Sequence, residues 1–563
     1  MNPVKPMSGR RRFLQIGSAT AAGASLPTWA LAQSGPALIA PDGLRPIAAQ
    51  GLQFGDPSNG TMLVWSRSDR PARMLVEWAG DARFTQPVRL SGAYALEATD
   101  FTARQDLSGL PDNREVFVRV SFQSLNNDRA LSEPVIGRFR MPPSGRTDRE
   151  GRDGHEGRDS DERHVEEPAH RRGAARDLRF TWGGDTAGQG WGINTAFGGM
   201  KIYDSMRRRE PLFFIHSGDT IYADGPIKPS VVAENGQVWN NLVTPEVSKV
   251  AETLDEFRGR YRYNLLDPVL RRFNAEVPQI WQWDDHEVTN NYSDAKSLAA
   301  DARYTEKNVP LLVARGTRAF LDYAPLRPFD ARESQRVYRR FSYGPQLDVF
   351  VLDMRSYRGP NSDNLQPTAS SATDFLGREQ LDWLKRGLNQ SRALWKVIAA
   401  DMPIGLNVGD GSTASGQPRW EAVANGSNGQ PLGRELEIAE LLRFIKRERV
   451  RNTVWLTADV HYCAAHYYDP KSAAFTDFDG FWEFVAGPLN AGSFGPNTLD
   501  GSFGPQVVFA KAPPPGQVNL SPYAGYQFFG EVNIDGRSGA LTVDLRDIDG
   551  ASVFSKTLPP RLL

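Results

Sequence analysis

Six short apolar segments, between positions 178 and 461, each run into an aspartate. Nearly continuous apolar runs of this length are typical of buried β-strands. The segments are LRFTWGGD, LFFIHSGD, QIWQWDD, LDVFVLDMR, LWKVIAAD and TVWLTADVH. Between them, large aliphatic residues recur at helical spacing, as at Leu381, Leu384 and Leu388. The alternation predicts a layered α/β (α+β) domain over residues 178–563, with helices covering the sheets and functional groups at the carboxyl ends of the strands.

The run Asp284-Asp285-His286-Glu287 places three carboxylates and an imidazole directly after one of these apolar segments. Adjacent carboxylates repel one another unless they are solvated, protonated or sharing a cation. Other strand ends contribute further oxygen and imidazole groups. The candidate ligands or catalytic groups at four strand ends are Asp185, Asp219, Tyr222, Asp285, His286, Asp459 and His461.

This set of side chains is the kind that Fe(III), Mn, Zn or Ca ions bind. A single aspartate after a strand is as readily explained as a helix cap or turn residue. Four such ends, two of which pair aspartate with histidine, favour a shared metal site instead. Two metals sharing a bridging carboxylate would stabilise a phosphoryl oxygen and lower the pKa of water to about 7.

Three more residues are predicted to lie behind the ligands or to contact substrate: His216, Asn290 and Arg355. His216 precedes a Ser-Gly-Asp turn on an apolar strand, where a hydrogen-bonded core histidine is the simpler interpretation. The Gly/Asn/Ser-rich stretch over residues 405–433 is typical of a lid. The sequence has no Walker lysine, dinucleotide-binding glycine spacing, G-x-S-x-G or H-E-x-x-H motif.

The region before residue 178 divides into three predicted parts. Residues 1–32 have a basic start, a weakly apolar middle and a small-residue cleavage site, and Arg10-Arg11-Arg12-Phe13-Leu14 fits a twin-arginine signal peptide. Residues 43–142 contain short alternating strands separated by turns, which predicts a β-sandwich of immunoglobulin or fibronectin type. Residues 143–177 are so charged and glycine-rich that a disordered linker is predicted.

Composition excludes several classes of function. The net charge of -1 gives no basic field for nucleic acid, and no later stretch is long and apolar enough to span a bilayer. A single cysteine, Cys463, excludes an internal disulfide. We therefore expect an exported, periplasmic or secreted protein whose partners are the twin-arginine machinery and a small substrate.

At its four ligand-bearing segments the chain resembles the alkaline phosphatase D (PhoD-like) family of the calcineurin-like metallophosphoesterases. The similar motifs are GDTIYAD, WDDHEVTNN and LTADVH, flanked by FSYGPQLDVFVLDMRSYR, FLGREQLDWLKRGL and FWEFVAGP. The resemblance implies a four-layer sandwich of two β-sheets flanked by helices, preceded by a small all-β domain. It also implies an exported hydrolase of phosphate monoesters and diesters that uses iron(III) with calcium.

The resemblance also implies a role for each site residue. Asp219 would bridge the metals, Tyr222 would bind iron, Asp285 would bind the second metal, and His286 would steady or protonate the leaving oxygen. Asp459 and His461 would complete the ligand set. Family members often have a cysteine after the first strand where this chain has Asp185, so manganese or zinc remain alternatives to the iron–calcium pair.

The sequence thus predicts a metal-dependent phosphoesterase acting by attack of hydroxide on phosphorus. Two alternatives stay open at this point: a phospholipase D-like phosphodiesterase, and a non-catalytic metal- or surface-binding protein.

Overall fold

A computed structural model describes residues 42–58, 60–142, 176–412 and 415–561. The predicted signal peptide and nearly all of the predicted linker lie outside these residues. None of the described helices is long and apolar enough to cross a membrane.

The described chain forms 24 strands and six α-helices. The strands are β1 Leu52–Ser58, β2 Thr61–Arg67, β3 Ala72–Ala79, β4 Val88–Ala95, β5 Thr102–Leu107, β6 Glu115–Ser124, β7 Val135–Arg140, β8 Leu178–Gly183, β9 Phe214–Ser217, β10 Ser230–Val232, β11 Val238–Asn240, β12 Gln279–Gln282, β13 Arg339–Tyr343, β14 Leu347–Val351, β15 Trp395–Ala399, β16 Gly409–Ser412, β17 Pro418–Trp420, β18 Thr453–Thr457, β19 Cys463–Tyr468, β20 Phe481–Val485, β21 Pro505–Lys511, β22 Phe528–Ile534, β23 Leu541–Asp547 and β24 Ser552–Leu558. The helices are α1 Ile202–Arg207, α2 Leu254–Asn264, α3 Pro268–Glu276, α4 Val309–Tyr323, α5 Arg378–Gln390 and α6 Glu435–Arg447.

Two large mixed sheets pack face to face and form the centre of the molecule. One has nine strands in the order β24-β23-β22-β8-β9-β12-β1-β2-β5, and the other has seven in the order β13-β14-β15-β18-β20-β19-β21. The apolar cluster between them includes Trp182 and Ile215 of the first sheet and Val349 and Val397 of the second. The six apolar segments are β8, β9, β12, β14, β15 and β18, as the sequence predicts.

Helices cover the outer face of each sheet. Helices α5 and α6 pack on the seven-stranded sheet through the predicted apolar faces, for example Leu384 and Leu441. Helices α2 and α4 pack on the nine-stranded sheet, where Phe257 and Phe320 lie in one cluster with Trp281. Helix α2 begins at a Thr253–Glu256 capping box, which satisfies amide groups that a helix start leaves unpaired. The predicted four-layer architecture is confirmed.

The N-terminal region is all-β, as predicted, but its two layers are not separate from the two large sheets. Strands β4-β3-β6-β7 form one layer, and β1, β2 and β5 form the other. The second layer continues the nine-stranded sheet, because β1 pairs in parallel with β12 at Gly55 and Gln279. Trp65 of β2 is completely buried, and its indole Nε1–H donates to the Asp322 carbonyl at 2.9 Å. One sheet therefore runs through both regions.

Trp65 provides a test of this continuity. We expect Trp65→Ala to lower the free energy of unfolding by about 3–5 kcal/mol, because it leaves a large cavity in a shared core. Urea unfolding followed by circular dichroism should show one cooperative transition that shifts as a whole. The control, Leu44→Ala, changes a side chain that is 47% exposed and should leave the midpoint unchanged. Two transitions, only one of them shifted, would contradict a shared folding unit.

Candidate metal centre

The parallel strands bring the predicted ligands to one edge of the two sheets. In the nine-stranded sheet, Gly183 pairs with His216 and His216 with Trp281, so β8, β9 and β12 end level with one another. The aspartates that follow these strands therefore converge. Four of the converging residues adopt the left-handed backbone conformation, with φ of 50° to 66°: Asp185, Asp219, Asp459 and His461. Such conformations are uncommon outside glycine and concentrate at functional sites.

Asp185, Asp219 and His461 form the first buried group, with one potential ligand atom from each within 4.8 Å of the others. The Nδ1 of His461 contacts the Gly492 carbonyl, so that nitrogen carries the proton and Nε2 is left with its lone pair. The Tyr222 hydroxyl lies 2.9 Å from this Nε2. Burial lowers the pKa of His461 to about 3, so the imidazole is neutral, as a metal ligand must be.

Asp219, Asp285 and His286 form the second buried group, within the same 4.8 Å limit. Asp219 is the residue common to both groups among the described residues, so it would contact both cations if two were bound. The Nδ1 of His286 donates to Oδ1 of Asp224 at 2.6 Å, which holds the imidazole in a fixed orientation. The Asn290 amide donates to the other Asp224 oxygen at 3.0 Å. Asp224 was not identified from the sequence, where it looks like a turn residue at the end of GDTIYAD.

Asp459 and Arg355 lie together beside these groups. Asp459 lines the cavity described below, and its Oδ1 is 3.9 Å from Nη2 of Arg355. Arg355 is completely buried and also forms ion pairs with Asp284, Asp401 and Glu421. A guanidinium held in this way has no surface left for substrate, so of its two predicted positions Arg355 occupies the one behind the ligands.

Glu287 is a second residue that sequence reasoning missed. It is completely buried and accepts amide hydrogen bonds from Thr220 at 2.6 Å, Asp284 at 2.8 Å and Asp219 at 3.3 Å. One carboxylate thereby joins the turn after β9 to the turn after β12. Its position next to Asp284-Asp285-His286 is the sequence signal, but side-chain-to-backbone bonds of this kind leave no spacing pattern.

The electrostatics of the cluster suit bound cations. Burial raises the pKa of Asp185 and of Asp219 well above the usual range, and the neighbouring carboxylates of Asp284 and Asp285 raise both further. Asp185 Oδ2 is buried and has no hydrogen-bond partner among the described residues. A buried carboxylate oxygen without a donor is costly, and a cation would satisfy it. The donor set of carboxylates, imidazoles and a phenol therefore fits hard or borderline metal ions.

A cavity of about 400 Å³ opens onto both groups. Part of its wall is apolar and is formed by Val408, Val460, Phe494 and Pro496. Another part, the amide side, presents the side-chain amides of Gln189, Asn290, Asn291 and Asn497. The cavity is thus large enough for a small ligand beside the predicted metal positions.

The predicted lid lies at this cavity. Val408 and Gly409 line it, and the Asn291 side-chain amide donates to the Gly409 carbonyl at 3.0 Å and to Asp410 at 3.1 Å. His216 does not line this cavity. It is buried, with its Nε2 2.9 Å from the hydroxyl of Thr186, and it joins neither ligand group.

Comparison with known proteins agrees with this geometry. A sequence profile described as PhoD-like phosphatase matches residues 180–545, and one described as PhoD-like phosphatase, N-terminal domain, matches residues 33–143. The chain belongs to the PhoD-like phosphatase family. The resemblance inferred from GDTIYAD, WDDHEVTNN and LTADVH is confirmed.

Individual proteins related to this PhoD-like chain match it at low sequence identity. Alkaline phosphatase D of Bacillus subtilis (strain 168) is 31% identical over 269 residues, which are 46% of this chain and 42% of that protein. The match thus spans less than half of that relative's length. A solved structure of PhoD has a TM-score of 0.63 at 20% identity, covering 91% of this chain and 89% of that one. A purple acid phosphatase from yellow lupin seeds has a TM-score of 0.53 at 13% identity, covering 92% and 74%. These two likenesses establish the fold.

Proposed function

We propose that this PhoD-like protein is an exported, metal-dependent phosphoesterase that prefers phosphate diesters. The observation that carries the proposal is the pair of buried ligand groups that share Asp219, with His286 facing the same cavity. Asp185, Asp219, Tyr222 and His461 would hold one metal, and Asp219 with Asp285 and Asp459 would hold the other. Bound at these residues, two metals supply a Lewis acid for the phosphoryl oxygens and a nucleophile at neutral pH.

The protein's own groups then orient the ester and supply a proton. Burial lowers the pKa of His286, but the charges of Asp224 and Asp285 outweigh it and raise that pKa to about 10 in the metal-free protein. A protonated Nε2, steadied from behind by Asp224, can donate to the leaving oxygen of the ester. Bound cations would lower this pKa, because like charges repel.

The charges lining the cavity favour a diester over a monoester. Four carboxylates line it, those of Asp219, Asp285, Glu421 and Asp459, and no lysine or arginine is among its lining residues. Apart from the metals, the cavity therefore offers no cationic side chain for the second charge of a monoester dianion, whereas a diester has one charge and two organic substituents. The apolar and amide sides of the wall provide contacts for those substituents.

We therefore expect kcat/KM for bis(p-nitrophenyl) phosphate to exceed that for p-nitrophenyl phosphate. Asn290→Lys should move the ratio toward the monoester by about three- to tenfold, because it adds one positive charge at an exposed position of the cavity wall. Its backbone bond to Asp224 is retained. Asn389→Lys, on the exposed surface of α5, is the control. A higher kcat/KM for the monoester in the unmodified protein would contradict the diester preference.

The same assay separates the alternatives. Hydrolysis of phosphatidylcholine with efficiency equal to that of the bis-ester would favour a phospholipase D-like activity. A protein that binds metal but hydrolyses none of the three esters would favour a non-catalytic binding protein.

Iron(III) with calcium is the proposed metal pair, on the basis of family resemblance and of Tyr222. In the metal-free protein, burial and the charges of Asp219 and Asp185 raise the pKa of Tyr222 well above 10, so only a strong cation would deprotonate it. We expect the iron-loaded protein to show a visible tyrosinate-to-iron absorption band that Tyr222→Phe abolishes, with Tyr261→Phe as the control. A band that persists in Tyr222→Phe would exclude this tyrosine as the iron ligand, and a colourless iron-free protein would favour manganese or zinc.

Export by the twin-arginine pathway to the periplasm or the medium is the remaining part of the proposal. It rests on Arg10-Arg11-Arg12-Phe13-Leu14. Replacing the three arginines with lysines should retain an unprocessed precursor in the cytoplasm, as measured by cell fractionation. Continued export of the lysine variant would contradict this route.

A further inference from the structure

A second cavity of this protein differs from the catalytic cavity in the charge of its lining residues. A cavity of about 690 Å³ lies at the end of the seven-stranded sheet opposite the metal centre. It includes Trp395, Thr453 and Phe481, the first residues of β15, β18 and β20, whereas the metal centre follows the carboxyl end of β18. A ligand in this cavity would therefore be about one strand length, roughly 15 Å, from the catalytic groups.

Aromatic rings form much of the inner surface of this distal cavity. Tyr467 and Trp482 line it with ring centroids 5.1 Å apart, and Trp455 and Phe481 line it from the other face of the sheet. Ring faces of this kind favour a planar or aromatic ligand body. A volume of about 690 Å³ is within the range of small-molecule sites in proteins.

Positive charge predominates among the polar lining residues. Four cationic side chains line the distal cavity, and Asp479 is the one carboxylate among its lining residues. The cations are Arg449, Arg451, Lys556 and Arg561. The ammonium of Lys556 lies 4.9 Å from the ring centroid of Trp482, so charge and aromatic surface are presented together. The catalytic cavity has the opposite balance, with four carboxylates and neither lysine nor arginine among its lining residues.

We propose that the distal cavity is a second binding site, for a small anion that has a planar aromatic body. The cationic rim binds the anionic group, and the rings of Tyr467 and Trp482 contact the ligand body. The ligand binds without competing with substrate, because its site is at the other end of the strands. This site does not depend on the proposed catalytic activity.

The test uses 8-anilinonaphthalene-1-sulfonate, an aromatic sulfonate, titrated into the full-length protein by fluorescence and calorimetry. We expect saturable binding of one molecule per chain. The double variant Arg449→Glu/Lys556→Glu should weaken binding by about tenfold or more, since two charges at the rim are reversed. The matched control, Arg386→Glu/Arg447→Glu, reverses two exposed charges on α5 and α6 outside the cavity and should bind as the unmodified protein does.

Two results would overturn the proposal. One is equal affinity in the Arg449→Glu/Lys556→Glu variant and the unmodified protein, with both folded by circular dichroism. The other is an equal loss of affinity in the Arg386→Glu/Arg447→Glu control, which would show that the net charge of the protein, and not the distal cavity, governs binding.

Discussion

Replacing Asp219 with asparagine is expected to remove bound metal and hydrolytic activity together. Asp219 is the residue common to both ligand groups, so its loss affects both proposed metals. An amide carries no charge and is a poor bridge between two cations, and the loss of Lewis-acid stabilisation is worth several kcal/mol. We expect kcat/KM for bis(p-nitrophenyl) phosphate to fall by roughly a thousandfold or more.

Asparagine is a suitable replacement because it preserves the shape of the aspartate side chain and the backbone conformation at this position. Position 219 has φ of 50°, a left-handed conformation that asparagine tolerates well. Loss of activity in a protein of unchanged thermal stability can then be assigned to the ligand. Metal content is measured by mass spectrometry of the dialysed protein, and Asp255→Asn, whose carboxylate is 74% exposed on α2, is the control. An Asp219→Asn protein with full metal content and full activity would show that this residue is not a ligand.

Replacing His286 with alanine should separate catalysis from metal binding. We expect kcat to fall by roughly a hundredfold or more while metal content is retained, because general acid catalysis contributes about 10²–10⁴-fold. The neighbouring ligand atoms of Asp219 and Asp285 remain in place. Loss of both metals in His286→Ala would instead identify this histidine as a ligand.

A variant of Asp224 tests how His286 is held in position. Burial raises the pKa of this aspartate, but the charge and hydrogen bond of His286, with the Asn290 amide and the charge of Arg303, together lower it to about 2, so the pair is ionised in the metal-free protein. Asp224→Asn should lower kcat by about tenfold, as expected for a residue that orients a catalytic group. In the double variant with His286→Ala, the second change should have little further effect, because Asp224 acts through His286. His216→Asn changes a buried histidine outside both ligand groups and is the control. Additive losses in the double variant would indicate that Asp224 has a separate role.

The sequence predicted the sheet strands and their functional ends because the physical signal there is local. A buried parallel strand needs a continuous apolar run, and such runs are visible in QIWQWDD and TVWLTADVH. The convergence of Asp185, Asp219, Asp285 and His461 follows from parallel strands ending at one edge. The assignment of each residue to a particular metal stays a prediction.

Other features depend on contacts between distant residues and could not be predicted. Asp224 and Glu287 act through hydrogen bonds that have no fixed spacing in sequence. The position of Arg355 among four carboxylates depends on the segments after β12, β15, β17 and β18 meeting in space. The pairing of β1 with β12 joins residues more than 200 positions apart, so strand periodicity alone suggested a separate N-terminal sandwich.

The order of strands in the nine-stranded sheet has a consequence for biosynthesis. Strands β1, β2 and β5 leave the ribosome first, and β22, which pairs with β8 on the other side of the sheet, is among the last to emerge. At about 5–20 residues per second, on the order of half a minute or more separates the two events. During that interval β8 presents an open edge, and unpaired sheet edges promote aggregation. Nascent chains halted before Phe528 are therefore expected to require chaperones or to be degraded.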